Sequence, residues 1–124
     1  MPDPNFVILY VKSAPASASF YAGLLGKPPV ESSPNFALFA LESGTMLGLW
    51  SRGEVSPALP DGARGGGELA IAVEGKAAVE STHEDWQRRG LPIAQAPTDL
   101  DFGRSFVALD PDGYRLRVFA PAAP

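Results

Sequence analysis

The sequence predicts an α+β protein built from two β-α-β-β-β modules, and three observations lead there. The first is an order of elements that runs twice. A strand at Phe6–Val11, a helix ending at Gly26 and a hairpin turning at Gly44 are followed by a strand at Glu68–Val73, a helix ending at Gly90 and a hairpin turning at Gly113. The second is spacing. Matching the two turn glycines sets Met46-Leu47-Gly48-Leu49-Trp50 against Arg115-Leu116-Arg117-Val118-Phe119, and Phe6 against Glu68. The third is composition: 13 glycines and 13 prolines in 124 residues imply many short elements joined by turns. Each half is too small to bury its own sheet face, so a shared core is expected, with a groove between two curved sheets. The expected organisation is one domain over residues 1–124, with modules at about 5–52 and 68–121 and a linker at 53–67.

Each element has a local reason. Phe6–Val11 (FVILYV) is continuously apolar and rich in β-branched and aromatic residues, which favours a strand with Phe6, Ile8 and Tyr10 on one face. Ala16–Leu25 has helical spacing, with Phe20, Tyr21, Leu24 and Leu25 expected as its buried stripe. Ser13 is placed to cap its start, Pro15 to sit in its first turn and Gly26 to stop it. Phe36–Leu41 and Met46–Trp50 read as strands joined by Glu42-Ser43-Gly44-Thr45. Lys76–Arg89 carries Val79, His83 and Trp86 at helical spacings, with His83 expected at the surface beside Glu84 and Asp85. Pro92–Ala94 is a short strand candidate and 97–103 is expected as loop, with Asp99 and Asp101 solvated. Phe106–Leu109 and Leu116–Phe119 flank Asp110-Pro111-Asp112-Gly113, a turn sequence with proline to set φ and glycine to accept positive φ. On the last strand Arg115, Arg117 and Phe119 share a face, and two arginines in line need solvent, acidic partners or a ligand.

Composition removes several function classes. A net charge of −4 argues against nucleic-acid partners, and the absence of cysteine excludes disulfides and thiolate chemistry. No apolar run approaches a membrane span and no basic-then-apolar leader is present, so a cytoplasmic protein with no membrane partner is expected.

VILYV, SFYAGLLG and FVALDPDGYRLRVF together resemble the vicinal oxygen chelate superfamily, the group of glyoxalases, extradiol dioxygenases and bleomycin-resistance proteins. The resemblance spans the whole chain. It implies the glyoxalase/bleomycin-resistance fold, with its cleft-bearing curved mixed sheet, and a homodimer with pockets near the subunit interface. The metal enzymes of the group place their ligands at positions that fall here on Phe6, Gly48, Glu68 and Arg117. Phenylalanine and glycine offer no donor and a guanidinium repels a cation, so no metal or other cofactor is expected.

TMLGLWSR (45–52), LPIAQAPTDLDFG (91–103) and YRLRVF (114–119) resemble more closely the phenazine-antibiotic resistance proteins, which bind a drug rather than transform it. That resemblance implies a small planar aromatic ligand and a candidate lining of Phe6, Ile8, Phe39, Gly48, Trp50, Glu68, Phe102, Arg115 and Arg117. Trp50 and Phe6 can present flat faces, and aromatic pairing is worth about 0.5–1.5 kcal/mol beyond area burial. Gly48 removes a side chain from the wall. Arg115 or Arg117 could fork onto a ligand carboxylate, unless Arg117 pairs with Glu68. Metal-independent sequestration of an aromatic drug is thus the leading expectation, and no catalytic residue is assigned. The alternatives are a glyoxalase-fold enzyme using Glu68 or an aspartate as a metal-free base, and a small-molecule sensor.

Overall fold

The computed structural model describes residues 2–60, 66–109, 111 and 113–122. The chain forms two compact units, one of Phe6–Gly67 and one of Met1–Asn5 with Glu68–Pro124. Each is a four-stranded mixed sheet with one α-helix packed on one face, the α+β architecture of paired β-α-β-β-β modules.

The first unit runs β1 (Phe6–Val11), α1 (Ala14–Leu25), β2 (Glu31–Ser32), β3 (Phe36–Ala40) and β4 (Met46–Ser51), then one 3-10 turn at Arg52–Glu54. Strand order is β2-β3-β4-β1, with β1 parallel to β4 and the other pairs antiparallel. Ser13 Oγ accepts from the Ala16 amide at 3.3 Å, and Gly26 closes the helix in the left-handed region at φ 72° with its N–H on the Ala22 carbonyl. The Ala14 amide donates to Ser51 Oγ at 2.9 Å, which ties the start of α1 to the end of β4.

The expected buried stripe of α1 is not the one that packs. Ala14 and Ala18 face the sheet with Tyr21 and Ala22 alongside, while Phe20 and Leu24 are 63% and 68% exposed. The sheet surface beneath already carries Phe39, Leu47 and Leu49. Small helix residues let backbone and sheet approach, whereas a Phe20 stripe would hold them apart. β2, a two-residue polar edge, has no apolar signal and is absent from the sequence reading.

The second unit runs β5 (Gly67–Ala72), α2 (Lys76–Arg88), β6 (Ile93–Leu100), β7 (Gly103–Leu109) and β8 (Arg115–Pro121), in the order β5-β8-β7-β6. Ile71, Val73, Phe106, Ala108, Val118 and Ala120 form its core against Val79, with Trp86 packed on it. β6 corrects the expected loop at 97–103. It runs through Pro97 to Leu100 because β7 pairs with it across two register shifts, and an irregular edge strand tolerates the missing proline N–H. Asp99 is not merely solvated: it pairs with Lys76 at 3.5 Å and Arg104 at 3.4 Å. Of the closing turn, Asp110 and Asp112 lie outside the described residues, and Gly113 has φ 86°. His83 is also corrected. It turns inward, its ring 5.2 Å from that of Phe106 and its Nε2 buried without a hydrogen-bond partner.

The internal repeat survives in the registers. Phe6 pairs with Met46 and Ile8 with Gly48; Glu68 pairs with Arg115 and Ala70 with Arg117. Met46 thus stands where Arg115 does and Gly48 where Arg117 does, as matching the two turn glycines predicts, and Phe6 stands where Glu68 does, as matching the first strands predicts.

Candidate functional site

In each unit one sheet face is covered by a helix and the other carries no helix. Strand alternation decides which residues stand on the helix-free face.

In the first unit that face is laid out in rows by register. Phe36, Trp50 and Tyr10 make one row, and Leu38, Gly48 and Ile8 the next. Phe6 begins the third row, beside Met46. The Phe36 and Trp50 rings meet edge to face with centroids 6.2 Å apart. Phe6, Ile8, Gly48 and Trp50 are therefore brought together. Phe39 is not: it points to the other face, fully buried under α1, because it is one residue out of phase with Phe36 and Leu38. Gly48 does not leave open room either. A Cβ built there would stand 2.9 Å from the tip of Phe36 and 3.1 Å from Ile8, so Phe36 has taken the space that glycine vacates. Tyr10 stands on the face expected for it beside Phe6 and Ile8, though outside the candidate lining, and Phe36 was missed as a member of this face. The antiparallel register set by the Gly44 turn, which places Phe36 opposite Trp50, is the signal that would have found Phe36.

In the second unit the face holds Glu68 and Arg115 side by side on neighbouring parallel strands, with Ala70, Arg117 and Val107 in the next row. Arg117 is 1% exposed and the Glu68 side chain fully buried. The guanidinium donates from Nε to Glu68 Oε2 and from Nη2 to Glu68 Oε1 at 3.2 Å, and Nη1 donates to Ser105 Oγ at 2.8 Å. Phe102 lies over it, 5.5 Å from Cζ to ring centroid, and packs edge to face on Phe119 at 5.7 Å. The open question about Arg117 is thereby answered: it is paired, with both carboxylate oxygens of Glu68. A forked, hydrogen-bonded pair of this kind is the form in which two charges can be held away from water. Ser105 is the residue here that the sequence reading missed; it is opposite Phe119 in the closing hairpin.

Arg104, one residue away but on the other side of β7, belongs to a separate exposed cluster with Glu80 and Asp99. The Glu80 hydrogen bond holds its guanidinium above its ordinary pKa. Among the described residues no three His, Cys, Asp or Glu side chains gather around one point. Phe6, Gly48, Glu68 and Arg117, the positions that the resemblance assigns to metal ligands, hold a ring, a bare backbone and the two halves of an ion pair, a set that does not fit a metal ion.

This arrangement has relatives. Residues 4–118 match the model of the Glyoxalase/Bleomycin resistance protein/Dioxygenase superfamily, and the chain belongs to that family. It is similar to the phenazine antibiotic resistance protein EhpR of Enterobacter agglomerans, 29% identical over an alignment of 120 residues, with 93% of this chain and 89% of that one covered. Among solved structures it is similar to one named as an NAD-dependent benzaldehyde dehydrogenase from Legionella pneumophila. The two are 42% identical with a TM-score of 0.87, over 96% of this chain and all of that one. A Mn(II)-bound glyoxalase from Novosphingobium aromaticivorans shares the fold at 23% identity and TM-score 0.65, over 94% of this chain and 38% of that one.

Proposed function

We propose that this protein binds and sequesters a planar aromatic small molecule without a metal ion, as a resistance protein for a phenazine- or bleomycin-like compound. The observation that carries this reading is the Glu68–Arg117–Ser105 lock. A buried carboxylate forked onto one guanidinium is held as the counter-charge of that cation, which disfavours its use as a metal donor or as a base toward a substrate. The helix-free faces carry rings instead: half-buried Phe36 above buried Trp50 and Tyr10 in one unit, and half-buried Phe102 against buried Phe119 in the other. Rings recognise a flat aromatic ligand by stacking and area burial, which requires no chemistry. With the Arg117 fork held by Glu68, a ligand carboxylate is not what this reading depends on. The resemblance to the Enterobacter phenazine resistance protein supports the same ligand class.

The name of the Legionella structure suggests dehydrogenase chemistry, and the sequence here does not support carrying it over. In the doubly wound dinucleotide-binding folds the pyrophosphate sits on a glycine-rich turn leading from a strand into a helix. β1 passes to α1 through Lys12-Ser13, and β5 to α2 through Val73-Glu74-Gly75.

The test uses the two tryptophans separately. Trp86 lies in the helix-side core against Phe106 at 5.5 Å, so Trp86→Phe leaves Trp50 as the sole reporter and Trp50→Phe leaves a control. Phenazine-1-carboxylate should quench the Trp50 signal saturably, with or without EDTA, and leave the Trp86 signal nearly unchanged. Quenching that needs added divalent metal, or none at all, would sink the proposal.

A further inference from the structure

We infer that the Phe36 ring occupies the ligand's own place, and that it swings out before a flat aromatic molecule can stack on Trp50. Within the sequestration reading, on which this rests, Phe36 controls entry and its seat defines what enters. Trp50 is 9% exposed, and Tyr10 and Ile8 on the same face are buried as well. A ring so covered offers no face to a visitor until something moves. Phe36, half-buried, stands edge to face against Trp50, with centroids 6.2 Å apart and planes at 88°.

Gly48 shows where the ring sits and what its seat accepts. A Cβ on Gly48 would meet Phe36 Cζ at 2.9 Å and Cε1 at 3.2 Å, with Ile8 Cγ1 at 3.1 Å. The far edge of a phenyl ring therefore lies directly on bare backbone, in a row with Ile8 and Leu38 on either side of the glycine. Glycine inside a strand weakens it, and close approach of another group is a reason to keep it there. The seat is apolar and fits an uncharged six-membered aromatic ring, because such a ring of the protein already fills it.

The motion belongs to the side chain. The Phe36 backbone is held: its N–H donates to Ser33 Oγ at 3.1 Å, its carbonyl accepts from the Ser33 N–H at 2.8 Å, and β3 pairs with β4 through Phe36 and Trp50. Rotation between staggered χ1 wells carries the ring toward the solvent it already touches and leaves the sheet in place. With the ring in, the seat over Gly48 is closed to water. With the ring out, a ligand ring takes the same seat and covers Trp50 besides. Because only the open form binds, the apparent affinity is the intrinsic one scaled by the open fraction.

Trp86→Phe leaves Trp50 as the sole tryptophan, and two substitutions are added to that protein separately. Phe36→Ala removes the ring, whereas Gly48→Ala pushes its tip outward and puts a methyl group in the seat. Both should make Trp50 more open to quenching by acrylamide, a readout that needs no ligand. Their effects on phenazine-1-carboxylate, followed by stopped-flow quenching of Trp50, should be opposite. A minor open state is populated at about 0.1–10%, so Phe36→Ala should speed association about tenfold or more. Gly48→Ala should weaken binding about tenfold, because the seat is filled. A ring that only supports the sheet would lower stability when removed without speeding association. Phe36→Leu carries the same test should Phe36→Ala unfold. Unchanged acrylamide quenching of Trp50 without the Phe36 ring overturns the proposal, and so does undiminished binding in Gly48→Ala. No response to the phenazine in any of these proteins removes the sequestration reading and the role of Phe36 together. Binding at an unchanged rate in Phe36→Ala removes the role of Phe36 alone.

Discussion

Arg117 holds Glu68, Ser105 and the Phe102 ring around one guanidinium. Its removal has a calculable sign. Arg117→Ala leaves the Glu68 carboxylate buried without its counter-charge, and breaking a buried pair by losing one partner costs about 3–5 kcal/mol. Replacing both, as Glu68→Leu with Arg117→Met, should recover most of that loss, since buried pairs replaced by apolar residues of similar volume are often neutral. Urea denaturation of the three proteins checks it; a single-mutant cost below about 1 kcal/mol would mean that water reaches the pair, as at a surface bridge. At this scale the sequence is readable where alternation alone decides. Period two along β8 puts Arg115, Arg117 and Phe119 on one face, and the repeat adds Glu68. It is unreadable where a side chain's reach decides, so Ser105 stays hidden until the β7–β8 register is drawn. Phe39 is misplaced when the alternation that assigns Phe36 and Trp50 is not carried through β3.

Two turns separate the effects of backbone conformation and of close approach on whole elements. Gly44 and Gly103 both have positive φ, 93° and 141°. A Cβ at Gly44 meets nothing within 4 Å, whereas one at Gly103 lands on the Ala120 carbonyl oxygen of β8. Gly44→Ala should therefore cost only the strain of an unfavourable φ, about 1–2 kcal/mol. Gly103→Ala adds a backbone collision at the start of β7 and should cost about 2–4 kcal/mol. Thermal and urea unfolding measure the difference; equal costs would show that β7 and β8 move apart freely there. The strands and caps are legible because the signals are local: apolar runs, Ser13, Gly26, and glycine at the turns. α1 misleads because spacing identifies a helix but not which of its two apolar stripes the sheet accepts, and residues already standing on the sheet make that choice. β6 misleads because Pro97 and Asp99 are breakers by local propensity, and the pairing that holds them extended comes from β7.

For the molecule as a whole, ligand binding to the folded state alone should raise its stability by mass action. Phenazine-1-carboxylate at a hundred times its Kd adds about 2.7 kcal/mol, a rise in Tm on the order of 10 °C for a chain of this size. The rise should be the same in EDTA; a shift abolished by chelator would count against metal-free binding, and no shift at all against binding. The two-module fold is legible at this scale from element order and two turn glycines, and the family from its resemblance in VILYV, SFYAGLLG and FVALDPDGYRLRVF. Ligand identity is not, because an aromatic face accepts many flat molecules on equal terms. The Glu68–Arg117 pair has a further consequence, for descent rather than for folding. Each residue here depends on the other, and exchanging Arg117 alone for a neutral side chain passes through a protein with a stranded carboxylate. The two positions are therefore expected to change together, and related sequences should show them covarying.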